Sequence, residues 1–205
     1  MATEAWDALS LPPWDECSRT EFRKAFPAAN VVDCRKKMVI EQVGAIGLGE
    51  VGEADFYLHE AGKAKVLLFR ARKHCLPAAP MFISDEYILL DEPCAGYLVV
   101  DKAGRELYQI PKLWFPYLTT NKEGTFFAAY ERIDSVFHPF EGTRKIRVKV
   151  FRSEDGKKIF ECHWDLAADD SINDGRVTLS DDGSRVALLR GRKILVFALP
   201  SSHGK

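Results

Sequence analysis

The chain has 205 residues, 46% of them apolar and 29% charged, and its net charge is −1 with the two signs interspersed. A single sizeable core suits that length. The charge provides no basic footprint for nucleic acid or an anionic membrane surface, and no apolar run reaches the roughly 18 residues that a bilayer-spanning helix needs.

Residues 1–34 read as an appendage. The start, "MATEAWDALSLPPWDECS", has no basic n-region and no apolar h-region. That argues against a signal peptide and for the cytoplasm, with an exported mature form as the alternative. Ser18-x-x-Glu21 has capping-box spacing and predicts a short helix, "RTEFRKAF", ended by Pro27. From 35 to 200 the character changes to short apolar or alternating runs between turns of Gly, Asp, Asn or Pro. This is the pattern of a β-rich repeat domain, followed by a tail at 201–205.

Within 43–72, Gly47, Gly49 and Gly52 fit G-x-G-x-x-G between two apolar runs. The segment is similar to the start of several hydride-transfer dehydrogenases, and that likeness would place Arg70 and Arg72 against an NADP 2′-phosphate. Three features oppose it. Glu50, Glu53 and Asp55 would crowd the helix N-terminus that should receive the pyrophosphate. The required helix, "EADFYLHEAG", reads equally well as a strand and a turn. No second strand–helix–strand unit comes after it, although a Rossmann domain needs several. The residues instead predict a Gly-rich connection into the hairpin "DFYLHEAGKAKVLLF", with no resident cofactor. An NAD(P)-binding oxidoreductase is the competing reading.

Downstream the same phrase recurs. "MFISDEYILLDEPCAGYLVVDKAGRELYQIP" (81–111) ends in a hairpin on Lys-Ala-Gly. "FPYLTTNKEGTFFAAYER" (115–132) turns on Asn-Lys-Glu-Gly, and "KIRVKVFRSEDGKKIFECHWDL" (145–166) on Glu-Asp-Gly. "RVTLSDDGSRVALLRGRKILVFALP" (176–200) supplies three more strands. Apart from an insert at 133–144, the period is about 40 residues, which is the mark of propeller blades.

On these residues, about 80–200, the chain resembles the β-propeller repeat superfamily in the broad WD-repeat sense. "SDDGSRVALL" stands where such repeats carry a Ser-Pro-Asp-Gly turn. No unit has the Gly-His signature, and Trp164-Asp165 falls at the end of a fourth strand, so the resemblance implies architecture alone. The expected fold is all-β: a propeller-like stack of about three or four four-stranded antiparallel blades behind a short helical appendage.

Blade packing makes further expectations. "KILVFAL" and "RVALL" should be covered on both faces, and the blade parse of 176–199 buries Val177, Leu179, Val186, Leu188, Ile194, Val196 and Phe197. "KIRVKVF" alternates strictly, so the face with Lys145, Arg147 and Lys149 should be wet. The last unit stops after three strands. Either a strand within 36–43 pairs beside 176–199, or exposed blade faces are buried in a homodimer.

Candidate chemistry is sparse. No nucleophile elbow, His-Glu-x-x-His or P-loop occurs. His74-Cys75 and Cys162-His163 are adjacent pairs, and neighbours in a strand point to opposite faces and cannot share a metal or a proton. "DDSINDG" (169–175) lacks two of the oxygen ligands of a calcium loop, so no metal is expected. The five cysteines have no zinc spacing. Cys75 and Cys94 fall in loops of one rim and form the best disulfide pair, with Cys17–Cys34 next and Cys162 free. That rim also collects Trp114, Phe115, Phe137, His138 and Phe140, aromatic side chains on loops of a rigid scaffold. The sequence therefore predicts a non-enzymatic module that binds a protein or another ligand through rim loops, or associates with a second copy. A propeller hydrolase or lyase is a further alternative.

Overall fold

β-Branched and aromatic residues crowd the runs expected to be strands, and each described run is extended in the computed structural model. The structure describes residues 30–36, 38–44, 53–60, 63–72, 80–92, 96–111, 113, 117–133, 145–165, 176–190 and 193–200. Among these there is no helix. The helix expected at 19–26 lies outside the described residues.

The chain divides into two units, Met1–Lys112 and Leu113–Lys205. In the first, β1 (Asn30–Arg35), β2 (Met38–Val43), β3 (Glu53–Glu60) and β4 (Val66–Arg72) form one antiparallel sheet in chain order. β5 (Met81–Phe82), β6 (Tyr87–Glu92), β7 (Gly96–Asp101) and β8 (Glu106–Ile110) form a second. The first sheet begins at Asn30, ahead of residue 35. Alternate residues of the two sheets share one core: Ile40, Phe56 and Leu58 pack with Ile88, Leu90 and Val100. Each such fully buried side chain contributes about 1.5–3 kcal/mol. Polar contacts fasten the same sheets. Asp33 Oδ2 accepts from the Phe82 amide at 2.7 Å, and Arg35 donates to Asp85 Oδ1 at 2.6 Å, with Lys36 on the same carboxylate.

In the second unit, β9 (Tyr117–Thr120), β10 (Phe126–Ile133), β11 (Lys145–Arg152) and β12 (Lys158–Asp165) lie in chain order. β13 (Arg176–Leu179), β14 (Arg185–Arg190) and β15 (Lys193–Ala198) make a three-stranded sheet beside them. Their common core joins Phe126, Ala128, Ile146, Val148 and Val150 to Leu179, Val186 and Leu188. These sheets, four-stranded except the last, are the blade-like elements of an all-β fold.

One turn recurs. In Asp101–Gly104, Asn121–Gly124 and Ser180–Gly183 the glycine N–H donates to the carbonyl three residues back at 2.9–3.0 Å. Those glycines, and Gly156 in the β11–β12 turn, have φ of 69–76°, the left-handed residue that ends a hairpin turn of this length. At Gly183 a Cβ would also stand 2.5 Å from the Phe126 ring, so the turn and the neighbouring sheet fit only without a side chain there.

Three expectations are corrected. The strand within 36–43 does not pair beside 176–199: β2 lies between β1 and β3, with Val39 opposite Cys34 and His59. Ile194 and Val196 are not core; they are 70% and 56% exposed. Among the described residues β15 is an edge strand, and Ile194 and Val196 point away from the face whose Leu195 and Phe197 pack on the core. Nor is the polar face of β11 wet. Lys145, Arg147 and Lys149 are all half-buried, because charged partners from neighbouring strands cover part of that face.

Candidate interaction surface

Antiparallel pairing sorts the connections onto two ends of each sheet. Around β9–β15, one end carries the tight turns 121–125, 153–157 and 180–184. The other end gathers the start of β9, the close of β10, the start of β11 and the close of β12. Tyr117 is opposite Tyr130, Ile133 opposite Lys145, and Lys145 opposite Asp165. The chain therefore leaves and re-enters this end at 114–116, 134–144 and 166–175.

Trp114, Phe115, Phe137, His138 and Phe140 belong to those stretches and lie outside the described residues. The strand ends that carry them share one rim of the sheet. A described aromatic stands there too: Tyr117 is 73% exposed, its ring meeting the edge of Tyr130 at 6.4 Å. Sequence reasoning missed Tyr117, although its position right after "LWFP" was a usable signal.

Beneath this rim sits a charged set that single-strand patterns could not reveal. Glu131 is fully buried and opposite Arg147 in the β10–β11 ladder. Its Oε2 lies 2.8 Å from Lys149 Nζ and 3.8 Å from Arg147 Nε. Arg147 also reaches Glu161 at 4.0 Å. Lys158, paired with Glu161, holds that carboxyl below its ordinary value, against the opposing effect of burial. Lys149 and Arg147 beside Glu131 offset its desolvation. The set holds the sheet and does not present a reactive group.

In the first unit the same sorting holds. Met81 is opposite Leu89 and Glu92 opposite Gly96, so the strand ends leading to Cys75 and Cys94 lie at one end of that sheet. The two cysteines themselves lie outside the described residues. Cys34 is disulfide-bonded. Cys162 is free, and burial, then the Glu161 charge, pushes its thiol up.

Gly47, Gly49 and Gly52 also lie outside the described residues; the segment after them does not. Residues 53–60 form β3, antiparallel to both β2 and β4. The helix that a dinucleotide turn must open is a strand in the expected hairpin, which overturns the NAD(P) reading. Arg70, assigned by that reading to a phosphate, instead donates Nε and Nη2 to Asp55 at 2.7 and 3.0 Å. The guanidinium holds the Asp55 carboxyl below its ordinary value. No group of His, Cys, Asp and Glu among the described residues could hold a metal.

No protein-family model matches this sequence, and no curated protein does. By fold it is similar to the acylaminoacyl peptidase of Pyrococcus horikoshii, with a TM-score of 0.50 and 11% identity. The match covers 83% of this chain and 32% of that one, so the chain spans about a third of the length of its structural neighbour. That protein has a propeller domain, and at this identity the likeness is one of fold.

Proposed function

We propose that this chain is a non-enzymatic, propeller-like interaction module that binds a protein partner through the loops of one rim. The observation that supports this most is the sorting of connections. Tight glycine turns close one end of the second unit, while the stretches bearing Trp114, Phe115, Phe137, His138 and Phe140 attach at the end where Tyr117 is exposed. Rigid strands fix where such loops begin and end, and aromatic anchors dominate binding energy.

The test places a photo-crosslinking residue at Tyr117 and, separately, at Glu123 on the tight-turn rim. A partner captured from Tyr117 and not from Glu123 is then purified, and its affinity measured for Trp114→Ala and Phe137→Ala. A loss of about tenfold or more supports the reading. Equal capture from both rims, or unchanged affinity in both variants, overturns it.

A second reading has one observation in its favour, the likeness to part of a peptidase. On that reading the chain serves a hydrolase or lyase. Turnover of an N-acylated chromogenic peptide by the purified chain, at a rate that survives Tyr117→Ala, would favour it over the interaction module.

A further inference from the structure

Among the described residues, three of the four sheets have four strands and the last has three, ending at β15. Among the described residues nothing pairs with the outer edge of β15. Apart from Lys193 at its first position, the strand lacks the features that blunt such an edge. Its ladder to β14 runs without a bulge from Arg185–Ala198 to Arg190–Lys193, and Pro200 lies beyond its end. A regular, apolar open edge is a template for another strand.

Side-chain direction limits what that strand can be. Leu195 and Phe197 face the core, while Ile194, Val196 and Ala198 are exposed on the opposite face beside Ala187 and Leu189. An added strand must continue both faces, so it too must be apolar on alternate sides over about five residues. β15 itself meets that requirement. With Leu195 opposite Leu195 of the second copy, Ile194 stands opposite Val196 and the reverse. Both cores then lie on one side of a continuous six-stranded sheet.

Charge selects the antiparallel arrangement. The sheet end at which β13 starts, β14 ends and β15 starts has Arg176, Arg190 and Lys193 at those strand ends, with no acidic residue among them. The opposite end carries Asp181 and Asp182, both exposed, with Arg185. A two-fold pairing sets the basic end of one copy beside the acidic end of the other, whereas parallel pairing would set two basic ends side by side. We propose that the chain forms a two-fold dimer by antiparallel pairing of β15 with β15 of a second copy. This surface is separate from the rim loops, and the proposal does not depend on them.

The experiment is light scattering across a concentration series, with hydrogen exchange at residues 193–198, on the wild-type chain and on Val196→Lys. Val196 touches solvent and not the core, and far-UV circular dichroism checks that the variant keeps its strands. The expected result is a dimer whose β15 amides gain protection as it forms. Val196→Lys should weaken association by about a hundredfold or more, since each dimer loses two apolar contacts. A monomer at every concentration overturns the proposal, as does a dimer that Val196→Lys leaves intact. A monomer with protected β15 amides overturns it too, and assigns the edge to a segment of the same chain.

Discussion

The side-chain amide of Asn121 donates to the main-chain carbonyl of Asp181, 3.1 Å away in the turn of the neighbouring sheet. The same nitrogen reaches Thr125 Oγ1 at 3.0 Å, while Oδ1 accepts from the buried Phe126 amide at 2.9 Å. One buried side chain thus closes its own turn and stitches it to the next. Asn121→Ala leaves the Phe126 amide and the Asp181 carbonyl short of a partner, at a cost of about 1–3 kcal/mol. Urea denaturation measures it; an unchanged midpoint would remove Asn121 from the account of how these sheets are held.

Leu188 and Ile194 test the assignment of faces. Leu188 is buried within the core of its unit, so Leu188→Ala should cost about 2–5 kcal/mol by leaving a cavity. Ile194 is mostly exposed, so Ile194→Ala in the monomer should change stability by no more than about 0.5 kcal/mol. Comparable losses from the two substitutions would mean that the outer face of β15 is covered in the monomer.

Acid should loosen the turns first. The Arg152 hydrogen bond brings Asp155 down from 3.8 to about 2, and the Ser180 hydroxyl, with the Ser184 amide and hydroxyl, does the same for Asp182. These carboxyls bind protons more weakly in the folded chain than in the unfolded one. Their stabilisation is therefore complete above the ordinary value near 3.8 and is lost as pH falls through about 2. Both groups sit at the surface, so the slope is shallow and salt-sensitive. A pH series of urea midpoints should fall across that window, and Asp155→Asn should flatten the fall.

Thiol chemistry separates the two described cysteines. Cys34 is disulfide-bonded and should resist iodoacetamide until a reductant is added. Cys162 is a free thiol raised by burial, so it should alkylate slowly when native and quickly in denaturant. Peptide mapping under non-reducing conditions reads both and identifies the partner of Cys34. Labelling of Cys34 without reductant would contradict the structure.

Strand positions and the turns between them were legible along the chain because both are local. Alternation with a period of two and an Asp-Gly or Glu-Gly step need only neighbouring residues, so β5–β15 and the glycine turns between them came from the order of the residues. The hairpin of β3 and β4 was equally visible in "DFYLHEAGKAKVLLF". A single strand cannot state its position within a sheet. "KILVFAL" reads as a doubly covered strand, yet among the described residues β15 is at an edge, and the exposure of Ile194 and Val196 depends on its neighbours. The charges of β11 looked solvent-facing until Glu131, from another strand, was brought opposite Arg147. The place of β2 was likewise set by its partners, Cys34 and His59, and not by its composition. Backbone pattern is written within about ten residues, whereas burial, charge pairing and sheet edges depend on residues far apart in sequence and become definite only when the strands are assembled.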